Sequence, residues 1–147
     1  MRGQVVDTES AREFMREALA QISEPELRAI AGELEAKHQR FRSLLARPQE
    51  LTPQTLRPLL RSVFSTRRRV DELLEGPAAP SLAGWIAGLL GAEEPVERRI
   101  QAFCEGLAGL PEPVRHDLAS ELLHYTAPER YWLWTRWMWD PRTRTGA

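Results

Sequence analysis

Cysteine occurs once, at Cys104, so this chain can build neither an internal disulfide framework nor a cysteine-rich zinc site. Lysine is equally scarce: of the 20 basic residues all but Lys37 are arginine, which gives a surface suited to pairing with carboxylate and phosphate. Long apolar runs are missing too. The longest, Leu82 to Leu90, is far short of a membrane span, and no apolar run followed by a small-residue cleavage site marks a secretory leader. No membrane insertion and a reducing cytoplasmic setting are therefore expected. There is no glycine-rich phosphate loop, no G-x-S-x-G, no Cys-x-x-Cys and no His-Glu-x-x-His, so enzyme classes carried by local motifs have no support. No cofactor is expected.

What remains is a chain of 147 residues with 42% hydrophobic and 28% charged content, the composition of one globular core. Helical periodicity runs through nearly all of it. Ser10-Ala-Arg-Glu13 reads as a capping box opening a helix with the stripe Phe14, Met15, Ala18, Leu19 and Ile22. Ser23-Glu-Pro-Glu26 is a second start signal. From there Leu27, Ala31, Leu34, His38, Phe41 and Leu45 alternate spacings of four and three, as a coiled-coil seam does. Thr52-Pro53 starts a third helix, whose stripe passes through Leu56, Leu59, Leu60, Val63 and Phe64 to Leu74, interrupted by Arg67. The short connection between the two predicts an antiparallel hairpin with Arg67 near Leu34, paired to Glu33 or Glu35.

Gly76-Pro-Ala-Ala-Pro80 is the one compositional break, and it divides the expected single domain 1–147 into layers 8–75 and 81–140, with 141–147 a polar tail. Ser81 caps a helix carrying Leu82, Trp85, Ile86, Leu89 and Leu90 on one face, and Gly84 and Gly88 on the other predict close approach of a neighbour. Val96, Ile100, Phe103, Leu107 and Leu110 mark a fifth helix, and Pro113 opens a sixth through Val114, Leu118, Leu122 and Tyr125. The expected fold class is all-α: an antiparallel bundle or orthogonal array of six to seven helices.

The last of these is the densest feature of the chain. Residues 126–140 hold four of the five tryptophans, between a capping signal at Thr126 and the helix stop Asp140-Pro141. A helix so apolar on nearly every side is either central to a bundle or completed from outside. Leu133, Trp134, Trp137 and Met138 can fill a core. Trp132 and Trp139 lie on the opposite face, flanking Arg136, and with Arg130 and Arg142 at the rim they form a candidate partner site, because tryptophan and arginine dominate interface energies. The leading functional reading is thus a non-catalytic interaction module, an adaptor, assembly factor or accessory subunit that binds another protein or a second copy of itself.

Two alternatives come from other residues. Charge is segregated: residues 7–35 carry eight acids against three bases, 36–69 nine bases against Glu50 alone, and 70–121 ten acids against three bases. Either these blocks lie side by side in one bundle, or the basic block from Arg57 to Arg69, with Arg67, Arg68 and Arg69 together, meets a nucleic acid and tryptophans stack on its bases. The second alternative rests on Glu35-x-x-His38 and Glu121-x-x-His124, each a carboxylate and an imidazole one turn apart. Ferritin-like bundles bind iron, manganese or zinc through two such pairs with glutamates from two further helices, here Glu13 or Glu17 and Glu97 or Glu105. Its competitor is a purely structural role for His38 on the seam and His124 at a helix end.

Overall fold

The computed structural model describes residues 8–91 and 93–133, and over them the chain is all-helical, with no strand. The helices are α1 (Thr8–Ala20), α2 (Glu24–Leu44), α3 (Pro53–Ser62), α4 (Val70–Glu75), α5 (Ala79–Leu90), α6 (Val96–Gly106) and α7 (Glu112–Thr126), with a 3-10 turn at Pro48–Glu50. The chain divides into two compact units, Met1–Ala36 and Lys37–Ala147, the boundary falling inside α2. Residues on both sides of the Gly76–Pro80 break belong to the second unit.

In the first unit the Ser23 signal acts as read. Glu26 accepts from the Ser23 amide at 2.9 Å and from its hydroxyl at 2.7 Å, while the Glu26 amide reaches back to the Ser23 hydroxyl. These bonds hold the exposed Glu26 carboxyl below its ordinary range. The Ser10 signal does not act that way, because the helix already runs from Thr8 and Ser10 lies inside it. The seam of α2 splits in character at the unit boundary. Leu27, Ile30 and Leu34 are exposed, as are Phe14, Met15, Leu19 and Ile22 of the preceding segment, whereas His38, Phe41 and Leu45 are buried in the second unit.

The second unit is organised around α5. Leu82, Ile86 and Leu89 are buried on its inner face, and it packs against the 3-10 turn, α4, α6 and α7. Phe41, Leu59, Leu60, Val63, Leu73, Phe103, Leu107, Leu118 and Leu122 complete one contiguous core. A fully buried side chain of this size contributes about 1.5–3 kcal/mol relative to leaving it in water. The glycines predicted to admit a close neighbour do not: nothing lies within 4 Å of a Cβ added at Gly84 or Gly88. The close approach is at Gly106, where an added Cβ would lie 2.5 Å from Trp85 Cε2, so the indole packs flat on bare backbone. Ser81 is not the cap of α5, which starts two residues earlier with Pro80 in its first turn.

Two larger expectations change. The predicted third helix is two helices. Thr52 and Thr55 form the capping box of α3 as Pro53 opens it, but α3 stops at Ser62, the chain turns through 63–69, and α4 begins at Val70. Helix α3 then packs along α4, and the predicted α2–α3 hairpin is not formed as a helix pair. The cause is long-range. Thr66, fully buried, donates from its hydroxyl to the Leu60 carbonyl at 2.8 Å, and Glu121 of α7 accepts the amides of Phe64 at 2.8 Å and Ser65 at 3.1 Å. A carboxylate fifty-odd residues away thus replaces the intrahelical bonds that continuation would have made.

The second change is at Thr126, which ends α7 instead of capping a new helix. Its hydroxyl donates back to the Leu122 carbonyl at 2.6 Å, and residues 127–133 form a turn followed by a stretch without regular secondary structure. Trp134, Arg136, Trp137, Met138, Trp139 and Arg142 lie outside the described residues.

Candidate functional site

Where α7 ends, the chain is bound to the rest of the second unit from several sides. The amides of Arg130 and Tyr131 donate to the Ala127 carbonyl, closing the turn. Arg42 of α2 donates from Nε to the Thr126 carbonyl at 3.1 Å and pairs with Glu129 at 3.3 Å. His124 Nδ1 donates to the Tyr131 carbonyl at 2.8 Å; since a carbonyl only accepts, that nitrogen carries the proton. Arg99 Nη2 donates to the Tyr131 hydroxyl at 3.0 Å.

Arg99 itself is buried, and its fork is filled by carbonyls: Nη1 to Leu89 at 2.6 Å and Nε to Glu94 at 2.9 Å. The Leu89 carbonyl belongs to the last turn of α5, which a cation suits. One guanidinium therefore ties the end of α5, the start of α6 and the segment after α7 together. Arg99 belongs to no motif of the sequence. Its signal was its place on the α6 stripe, three residues after Val96 and four before Phe103.

The consequence for the candidate partner site is an alternation. Tyr131, held by Arg99 and His124, packs on the core, and the next residue, Trp132, is 75% exposed. Arg130 is exposed with its guanidinium 5.5 Å from the Tyr131 ring centroid. Between α6 and α7 these residues border a groove of about 500 Å³, with Val96, Ile100 and Leu123 on its apolar side and Ser120 and His116 on its polar side. Of the five predicted partner-site residues, Trp132 and Arg130 stand together here; Arg136, Trp139 and Arg142 lie outside the described residues.

The two Glu-x-x-His pairs meet only in part. His38 and His124 stack edge to face with ring centroids 5.4 Å apart, both against Tyr125, and Lys37 lies 4.0 Å from the Tyr125 ring centroid. His38 Nδ1 donates to the Tyr125 carbonyl at 3.1 Å. Glu121 is buried, and both its oxygens are engaged by the amides of Phe64 and Ser65. Burial pushes its carboxyl above the usual range, against the lowering effect of those amides and of Lys37; burial likewise depresses Lys37 and raises the Tyr125 hydroxyl. Glu35, Glu13 and Glu17 belong to the other unit, while Glu97 and Glu105 are exposed on α6. Among the described residues no three His, Cys, Asp or Glu side chains are gathered to hold a metal ion. Glu121 thus holds the 63–69 turn through the amides of Phe64 and Ser65. Cys104 is buried, with its thiol raised by burial, the setting of an inert side chain.

Two arginines of the basic block meet acids of α4. Arg57 pairs with Asp71, which holds the Asp71 carboxyl low, and reaches Glu75 at 3.6 Å, while Arg69 pairs with Glu72 at 2.9 Å. Arg67 and Arg68 are exposed on the 63–69 turn, and with Arg69, Phe64 and Val114 they line a groove of about 580 Å³. Arg67 lies over the Phe64 ring, its guanidinium carbon 4.4 Å from the centroid. Arg67 thus sits on an exposed turn, not on a buried helix stripe.

Comparison with known proteins adds no relative: no family model, no curated protein and no solved structure matches this chain.

Proposed function

We propose that this chain is a non-catalytic helical interaction module, an adaptor, assembly factor or accessory subunit, which seats an apolar anchor of another protein in the groove between α6 and α7 beside Trp132. The observation that supports it is the exposure of Trp132, 75% in solvent, on a segment whose neighbour Tyr131 is fixed by Arg99 and His124. An indole with ~150 Å² in water leaves about 4 kcal/mol of burial unused at ~25 cal/mol per Å². Because the segment is already ordered, a partner loses little further freedom on covering it, which is how preorganised anchors gain affinity. Arg130 beside it supplies a guanidinium for the rim, and the apolar side of the groove accepts an aliphatic or aromatic side chain.

The test is to capture partners by cross-linking with the full chain, purify the one identified, and compare its affinity for wild type and for Trp132→Ser with Arg130→Ser. Both residues are exposed, so thermal unfolding should be unchanged. Affinity should fall at least about tenfold, the loss of a single interface anchor. Unaltered affinity in a folded double variant overturns the assignment. The nucleic-acid reading is supported only by the exposed Arg67 and Arg68. It requires binding to generic duplex or single strand with a steep inverse salt dependence, and a flat titration at low salt removes it.

A further inference from the structure

The first unit carries a second surface, independent of Trp132. Of the large hydrophobic side chains that are exposed, seven lie between Phe14 and Leu34: Phe14 at 70%, Met15 at 55%, Leu19, Ile22, Leu27, Ile30 and Leu34. On α2 their arrangement is specific. At about 100° per residue, Leu27, Ile30, Ala31 and Leu34 form one stripe, Glu24 and Glu35 line one side of it, and Glu26 and Glu33 line the other. Scattered single hydrophobics need no explanation, but a continuous stripe bordered by carboxylates on both sides has the form of a coiled-coil face with its flanking charges.

Charge decides what fits it. Residues 8–36 carry seven acids and three bases, so a partner helix meets acidic edges on either side of an apolar seam. A second copy does not fit. In parallel register the glutamate edges face each other. In antiparallel register the complementary bases Lys37, Arg40 and Arg42 belong to the half of α2 whose apolar positions, His38, Phe41 and Leu45, are already buried in the second unit's core, with Arg42 bonded to Thr126 and Glu129. We infer that the Leu27–Ile30–Leu34 face of α2 docks a basic amphipathic helix of another protein, one that presents leucine-type residues at heptad spacing with lysine or arginine on both flanks. Burial of the stripe drives such docking, and the flanking pairs set partner choice and orientation.

The experiment uses the full chain and two fluorescent helical peptides of about four heptads, identical in their leucine seam, one with lysine at the flanking positions and one with glutamate. The lysine peptide should bind and the glutamate peptide should not, read as anisotropy, with the chain's helix signal retained. Leu27→Ser with Leu34→Ser, both at exposed positions, should weaken the lysine peptide at least tenfold. Glu24→Lys, Glu33→Lys and Glu35→Lys together, which recharge both flanks and leave the Ser23–Glu26 cap in place, should reverse the preference, and Trp132→Ser should leave binding unchanged, which separates this surface from the Trp132 groove. Equal binding of both peptides, no binding of either, or indifference to the leucine substitutions overturns the inference. So does a chain that sediments as a dimer which the leucine substitutions dissociate, because that assigns the face to a second copy.

Discussion

Arg99 donates from Nη2 to the Tyr131 hydroxyl at 3.0 Å, and the same guanidinium holds the Leu89 and Glu94 carbonyls. A buried cation that no carboxylate among the described residues pairs with is normally costly, yet here three oxygens share it and the end of α5 contributes a favourable dipole. Replacing Arg99 by methionine keeps much of the apolar stem but leaves the two carbonyls without their donor. The expected loss is about 2–4 kcal/mol in denaturant unfolding. Tyr131→Phe removes only the hydroxyl and should cost ~1 kcal/mol. If the methionine variant were no less stable than the phenylalanine variant, Arg99 would not be the clamp described here.

Glu121 gives a prediction in pH. Its carboxyl faces the amides of Phe64 and Ser65, with Lys37 and Tyr125 the charged and titratable groups nearby, and burial raises it above 4.5. A folded value above the unfolded one means that the folded chain binds the extra proton. Stability from this group is therefore present at low pH, declines as pH rises from 4.5 through the elevated value, and is constant beyond it. Glu121→Gln should lack that decline, so the stability difference between wild type and variant, read from urea midpoints between about pH 4 and 8, should move in the variant's favour as pH rises. It should also be less stable by about 1–3 kcal/mol at low pH, because one of the two amides loses its acceptor. A difference that moves in favour of wild type as pH rises would reverse the sign and refute the account.

The glycines separate packing from propensity. At Gly106 a methyl group would meet the Trp85 indole at 2.5 Å, so Gly106→Ala must tilt the ring and should destabilise by about 1–3 kcal/mol, with a shift in tryptophan emission. At Gly88, exposed in the interior of α5 with nothing within 4 Å of the added Cβ, the same substitution should stabilise by about 0.5–1 kcal/mol through helix propensity. Paired thermal melts of the two variants check both, and a stabilised Gly106→Ala would show that the contact is loose.

The sequence by itself determined the helical class and much of the punctuation. Spacings of three and four fix which side chains share a helix face, and a proline beside a threonine, as at Thr52-Pro53, marks a start whatever lies around it, because those signals act within a few residues. The same local signals made the Ser23–Glu26 box legible, whereas Trp132 is exposed on a non-helical segment and not on the outer face of the expected helix. Tertiary structure decided the rest. Nothing between Val63 and Arg69 announces a helix break, since the acceptor that satisfies Phe64 and Ser65 is Glu121, far along the chain. Thr126 carries a good capping pattern, but Arg42, His124 and Arg99 capture the segment after it in a non-helical form. His38 and His124 are brought to 5.4 Å where His38 and Phe41 meet Tyr125, and the carboxylate one turn from His124 is committed to backbone amides. Periodicity reports which face is apolar; only the fold decides what covers it, because burial and hydrogen-bond satisfaction are settled between residues distant in sequence.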